Sequence, residues 1–243
     1  MTHPARRMAP ILIGVALLVG IPGYVAAFAG EVSGLVAAFS RHRGFFIGLG
    51  IYVPLHLFLV RRWTMLQVFQ HELTHALFSA AFFRGVPDFR STRNGGYIEH
   101  TGGFGGWFGD TAIGLAPYSC PTFALALALV RPLLRVQWLP WWEGAVGLTL
   151  GFHLTVAVGE TARSFRVRSF ERVSGGWVQS DVARRGLVFS ALYIALFGLL
   201  FHGVVLSMVR HGYDGVWHFL KAGASGSWEV PGRLAAWLFP RGR

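Results

Sequence analysis

Five consecutive residues carry the densest chemistry in this chain: His71-Glu72-Leu73-Thr74-His75. On a helix, residues four apart share a face, so the imidazoles of His71 and His75 can reach one metal ion together. Glu72 lies beside that face, where a carboxylate can hold and deprotonate a metal-bound water. The pattern is that of a Zn²⁺ site with an open coordination position and Glu72 as its general base. A plainer use of the same residues is a polar helix face satisfied by neighbouring helices, which would not need this spacing. All three ionisable groups stand in a stretch otherwise rich in Phe, Leu, Ala and Val. Burying each in a bilayer costs at least ~2–3 kcal/mol, which marks such a stretch as functional.

The composition says what kind of element carries the motif. The chain has 243 residues, of which 53% are hydrophobic and only 14% charged, and its mean hydropathy is +0.48. Soluble domains are about a quarter charged, so an integral membrane protein is expected. The 15% aromatic content excludes a disordered chain. A single cysteine, Cys120, excludes an internal disulfide framework and a Cys-only zinc site. Lys+Arg exceed Asp+Glu by 22 to 11, all but Lys221 being arginine. These residues are spread in pairs, with no polybasic run interleaved with aromatics, so they read as loop charge at a lipid bilayer and not as a nucleic-acid surface. The arginine excess points to a GC-rich bacterial genome and a bacterial inner membrane.

Crossing a bilayer takes about 20 helical residues. Charge-poor stretches of about that length recur at 9–29, 44–60, 63–83, 111–130, 138–159 and 186–209. An all-α integral membrane protein with about six transmembrane helices follows, as a single polytopic domain over residues 1–243. Arg6 and Arg7 precede the first stretch, but its length and its Pro22-Gly23 pair mark a span and not a cleavable signal peptide. The motif lies on the helix at 63–83. A glycine-rich loop at 84–109 follows, with a short β-like piece at Gly96–His100. Residues 162–185 form an Arg-rich polar connection, and the tail 210–243, with Trp217, Trp228 and Trp237, reads as interfacial.

His71-Glu72-Leu73-Thr74-His75 within a hydrophobic helix resembles the site-2-protease family of intramembrane zinc metalloproteases, particularly its compact bacterial members. Gly85-Val86 followed by Asn94-Gly95-Gly96-Tyr97-Ile98 is similar to the β-like segment after that family's motif helix. Ile113-Gly114-Leu115-Ala116-Pro117 is similar to the start of its next span. Together these cover roughly residues 63–130. The resemblance implies a zinc endopeptidase acting on membrane-embedded protein substrates. It also implies an aspartate as third ligand, usually in an Asp-Gly pair opening a later helix. The only Asp-Gly here, Asp214-Gly215, precedes a polar stretch, and the better positional match is Asp181. Where the family places an Asn after its Gly-Pro pair, this chain reads Tyr118-Ser119-Cys120.

Helix arithmetic nominates a rival. At 1.5 Å per residue the motif stands about 12–18 Å from the C-terminal end of its helix, and His153 stands about 10 Å from the end of a helix finishing on the same side. His153 is thus matched in depth, whereas Asp181 must dip inward or sit on a broken helix. Either completes a three-ligand site. The plainer use of His153 is a hydrogen bond between helices. His56 reads as packing, His202 as interhelical and Glu160 as a helix-end ion pair with Arg163. Glu99 and His100 read as solvated, and Asp110 as an acid at a helix N-terminus. Two readings compete with the protease: a non-catalytic protein with a structural or vestigial metal site, and a haem protein using His56, His75, His153 and His202.

Overall fold

The computed structural model describes residues 4–93, 95–166, 171–173, 176–178 and 180–238. They form nine helices and two small hairpins. These are α1 (Pro4–Ala37), α2 (Arg43–Phe58), α3 (Thr64–Ala81), β1 (Gly85–Thr92), β2 (Gly95–Thr101), α4 (Gly106–Ser119), α5 (Thr122–Leu129), α6 (Leu139–Arg166), β3 (Glu171–Val173), β4 (Gly176–Val178), α7 (Asp181–Arg185), α8 (Leu187–His211) and α9 (Tyr213–Leu238). Two compact units are present, Met1–His42 with Ala191–Arg243, and Arg43–Ser190.

In the first unit, α1 and α9 run antiparallel. The Ser227 hydroxyl donates to the Gly20 carbonyl at 2.9 Å, and the Tyr24 hydroxyl donates to Leu220 O at 3.5 Å. A Cβ at Gly23 would collide with the Gly223 carbonyl, so it is the missing side chains that let the two backbones meet. Arg210 ties α8 to α1 through Glu31 at 2.8 Å. The tail expected at the interface therefore continues as a long helix along α1.

In the second unit, α2 lies against α6 through glycines on both. A Cβ at Gly48 would strike the Gly144 carbonyl, and one at Gly147 would strike that of Phe45. Tyr52, Val60, Phe152 and Val156 form the core beside this seam. Phe123 of α5 stacks on Phe152 with centroids 6.0 Å apart. β1 and β2 pair antiparallel, with Phe89 opposite Ile98 and Ser91 opposite Gly96. Phe89 meets Phe69 edge to face at 6.0 Å and fastens the hairpin to α3. The β-like piece expected at Gly96–His100 lies in β2.

Among the described residues, three helices are long and apolar enough to cross a membrane: those within 10–37, 136–166 and 187–211. The stretch expected as one span over 111–130 is two helices, α4 and α5, bent by 88°. Pro121 causes the break. It offers no N–H, and it drives Cys120 into extended backbone (φ −102°, ψ 113°). Counting that bent pair as one span gives four. The other two of the six expected spans fall short. α2 has 16 residues with Pro54 inside. α3 has 18 residues but carries Gln67, Gln70, His71, Glu72, Thr74 and His75, too many polar groups for an apolar crossing. The connection 162–185 also holds more structure than its composition suggested, because α6 runs on to Arg166 and the β3–β4 hairpin follows.

Overpacking a tight seam costs about 1–3 kcal/mol. Gly48→Ala and Gly147→Ala should therefore lower the thermal midpoint of detergent-solubilised protein. Gly50→Ala, with nothing within 4 Å of its Cβ, should leave that midpoint unchanged.

Candidate metal centre

α3 carries two polar stripes side by side. On one, Gln70 and Thr74 are a helical turn apart and both buried. Gln70 Nε2 lies 3.0 Å from His153 Nδ1 on α6, and the Thr74 and Thr122 hydroxyls are 2.6 Å apart. On the other stripe, His71 and His75 have ring centroids 4.8 Å apart. The first stripe is bonded to α6 and α5, and the second points into a cavity of about 530 Å³.

Each imidazole of the second stripe is held by its Nδ1. His71 Nδ1–H donates to Glu160 Oε2 at 2.7 Å, and His75 Nδ1–H donates to the Ile113 carbonyl at 2.7 Å. The second bond exists for a local reason. Within α4, the carbonyl of Ile113 would ordinarily accept from the amide four residues on, but that residue is Pro117, which has no N–H. His75 supplies the donor that Pro117 withholds. With Nδ1 protonated in both rings, the lone pair of each neutral imidazole sits on Nε2, the arrangement that fixes metal-binding histidines.

Asp181 completes the group. One ligand atom from each of His71, His75 and Asp181 lies within 4.8 Å of the others, and His75 Nε2 is 3.7 Å from Asp181 Oδ2. These residues could hold a metal ion. Two imidazoles and one carboxylate suit a divalent ion. Asp181 opens α7, whose N-cap Ser180 accepts from the Ala183 amide at 3.3 Å. Val182 is fully buried, and its carbonyl accepts from the Ser190 hydroxyl at 3.0 Å. Burial raises the Asp181 carboxyl above its ordinary range against the opposing pull of His71, Arg184 and Arg185, so a carboxylate here is stabilised by added positive charge.

Glu72 is buried and faces the same cavity. β2 passes directly over it, because a Cβ on Gly96 would stand 2.6 Å from Glu72 Cγ. Tyr118 sets its ring edge to face on His71 at 5.5 Å and lines the same wall.

Of the other residues singled out from sequence, Glu160, Asp110 and His100 line the same cavity, while His153, His56 and His202 are not among its lining residues. His153, the rival ligand, faces Gln70 and is not part of the His71–His75–Asp181 group. His56 Nδ1 lies 2.9 Å from the Tyr52 hydroxyl, which in turn meets Thr155 Oγ1 at 2.5 Å. His202, expected to bond between helices, donates from Nδ1 to Gly198 O of its own helix at 2.7 Å. Glu160, expected to pair with Arg163, holds His71 instead, a partner 89 positions away. Asp110, expected at a helix start, lies inside α4 and binds Arg84 at 2.5 Å. Glu99 is exposed, while His100 lines the cavity with Nε2 3.2 Å from Arg84 Nη1. Compared with protein-family models, curated proteins and solved structures, the chain matches none of them.

Elemental analysis of purified protein should find one divalent ion per chain, lost in His71→Ala, His75→Ala and Asp181→Ala and kept in His153→Ala. Removing the carboxylate behind His71 (Glu160→Ala) should weaken metal affinity about 10–100-fold. Pro117→Ala restores a competing amide for Ile113 O and should weaken affinity in the same direction, by less.

Proposed function

We propose that this chain is a zinc-dependent endopeptidase of the site-2-protease type, an all-α integral protein of a bacterial inner membrane that hydrolyses peptide bonds of membrane-embedded substrates. The observation that carries the reading is the juxtaposition of Glu72 with His71, His75 and Asp181 in one cavity. A membrane setting is supported by the long apolar helices, and by large apolar side chains such as Ile11, Leu12, Phe58 and Val188 that face outward.

His71, His75 and Asp181 would hold the ion. When bound, a divalent ion in such a site polarises a carbonyl and lowers the pKa of water, as metallohydrolases require. The protein's own groups do the rest. Glu72 orients the attacking water, accepts its proton and delivers it to the departing amine. Glu160 and the Ile113 carbonyl keep the two rings from turning. A transmembrane substrate has to unwind before its peptide groups are reachable. β2 supports this step: β1 occupies one of its edges, while Gly96, Tyr97 and Ile98 line the cavity, where an extended chain can lie along the strand. Gly96 lets β2 itself lie directly against Glu72.

A non-catalytic metal site is the second reading. It is favoured by Tyr118-Ser119-Cys120, which stand where the resembled family places an Asn. The haem reading has less support, since His71 and His75 share one turn of α3 and His153 is engaged with Gln70.

Reconstituted with a panel of single-span membrane peptides, the zinc-loaded protein should cleave at least one. Glu72→Gln should keep its zinc and lose about 10²–10⁴-fold in rate, the span attributed to a general base. Full activity in that variant would overturn the mechanism. Zinc held tightly by a protein inert to every peptide would favour the non-catalytic reading. Chelation should abolish cleavage and added zinc should restore it.

A further inference from the structure

The cavity that holds the metal-site residues also carries three arginines. Arg163 lies three residues beyond Glu160 on α6, while Arg184 and Arg185 lie three and four residues beyond Asp181 on α7. At those spacings each arginine shares a face with the acid that precedes it, one turn further along the helix. Arg163 and Arg184 are exposed and Arg185 is half-buried.

Among the described residues, none of the three takes part in an ion pair. The cavity's acids are otherwise engaged. Glu160 accepts from His71 despite the proximity of Arg163 in sequence, Asp110 is held by Arg84, and Asp181 faces His75. The remaining acid, Glu72, lies buried beneath Gly96. The result is a site whose acids are engaged by His71, His75 and Arg84 or buried. Of the three guanidinium groups at its rim, Arg184 and Arg185 feel Asp181, and Arg185 also feels Asp110, without forming an ion pair with either.

We propose that this rim selects acidic substrates: Arg163, Arg184 and Arg185 bind a carboxylate, from a Glu or Asp side chain or a free chain terminus, in the peptide presented to the metal site. Guanidinium groups suit this task, because their fixed fork of donors matches a carboxylate. Placement favours a peptide over a lipid phosphate, since the arginines share helix faces with Glu160 and Asp181 and line the cavity that holds Glu72. The assignment rests on the proteolytic reading for its substrate class, but binding can be measured without cleavage.

The test uses zinc-loaded full-length Glu72→Gln protein in phosphatidylcholine nanodiscs. The probe is a fluorescent, apolar peptide carrying a pair of glutamates, compared with its glutamine twin by anisotropy. The acidic peptide should bind about tenfold tighter, with a preference that shrinks as salt rises. In Arg163→Gln/Arg184→Gln/Arg185→Gln the preference should vanish. Each single Gln variant should lose part of it, and a zinc content equal to that of the parent reports an intact site in each case. Equal binding of the two peptides would overturn the proposal. So would a preference that disappears when phosphatidylglycerol replaces phosphatidylcholine, because the rim would then be a headgroup site. If wild-type protein cleaves peptides with no acidic preference, the rim assignment fails and proteolysis stands. If acidic peptides bind selectively and nothing is cleaved, proteolysis fails and the rim assignment stands.

Discussion

Everything around the site follows from one requirement: two imidazoles a helical turn apart must each have Nδ1 satisfied inside the protein, so that Nε2 of both is left for the cavity. An N–H buried without a partner costs about 1–3 kcal/mol, and a ring without a tether can rotate. The two donors take different routes. His71 finds a carboxylate on α6, and His75 finds a backbone carbonyl on α4. The second route is available because Pro117 leaves Ile113 O without its helical donor. A residue that weakens α4 as a helix thereby strengthens the attachment of α4 to α3.

The same requirement separates the two sides of α3. A helix with Gln70, His71, Glu72, Thr74 and His75 cannot lie among apolar neighbours unless each polar group meets one of its kind. Gln70 and Thr74 meet His153 and Thr122, which closes one side as packing. The other side stays open as a cavity, roofed by β2 at Gly96. Packing and chemistry thus occupy adjacent stripes of one helix, about 100° apart per residue.

Much of this was legible in the sequence, though unevenly. The histidine spacing placed His71, Glu72 and His75 on one helix because helical periodicity is local. Asp181 was reachable only by resemblance, since no local rule joins it to His75 across more than a hundred residues. The depth argument for His153 ran along the helix axis correctly but ignored azimuth, and one residue's rotation on α3 is what separates a partner of Gln70 from a partner of His71. Glu160 was assigned to Arg163 because nearness in sequence stood in for nearness in space. The span count ran high because a charge-free stretch of twenty residues does not tell a straight helix from a bent one. Pro121 and Pro54 held that information.

Asp181 sits at the start of a five-residue helix, far along the chain from the two donors on α3. An ion gripped by all three donors therefore joins two segments separated by roughly a hundred residues, and in chain-entropy terms it acts as a cross-link. Closing a loop of that length removes about 4–5 kcal/mol of freedom from the unfolded chain, comparable to a long-range disulfide. In a protein with one cysteine, an ion held there would be the available staple between α3 and α7. The same three side chains that would do the chemistry also decide how firmly the Arg43–Ser190 unit is closed upon itself.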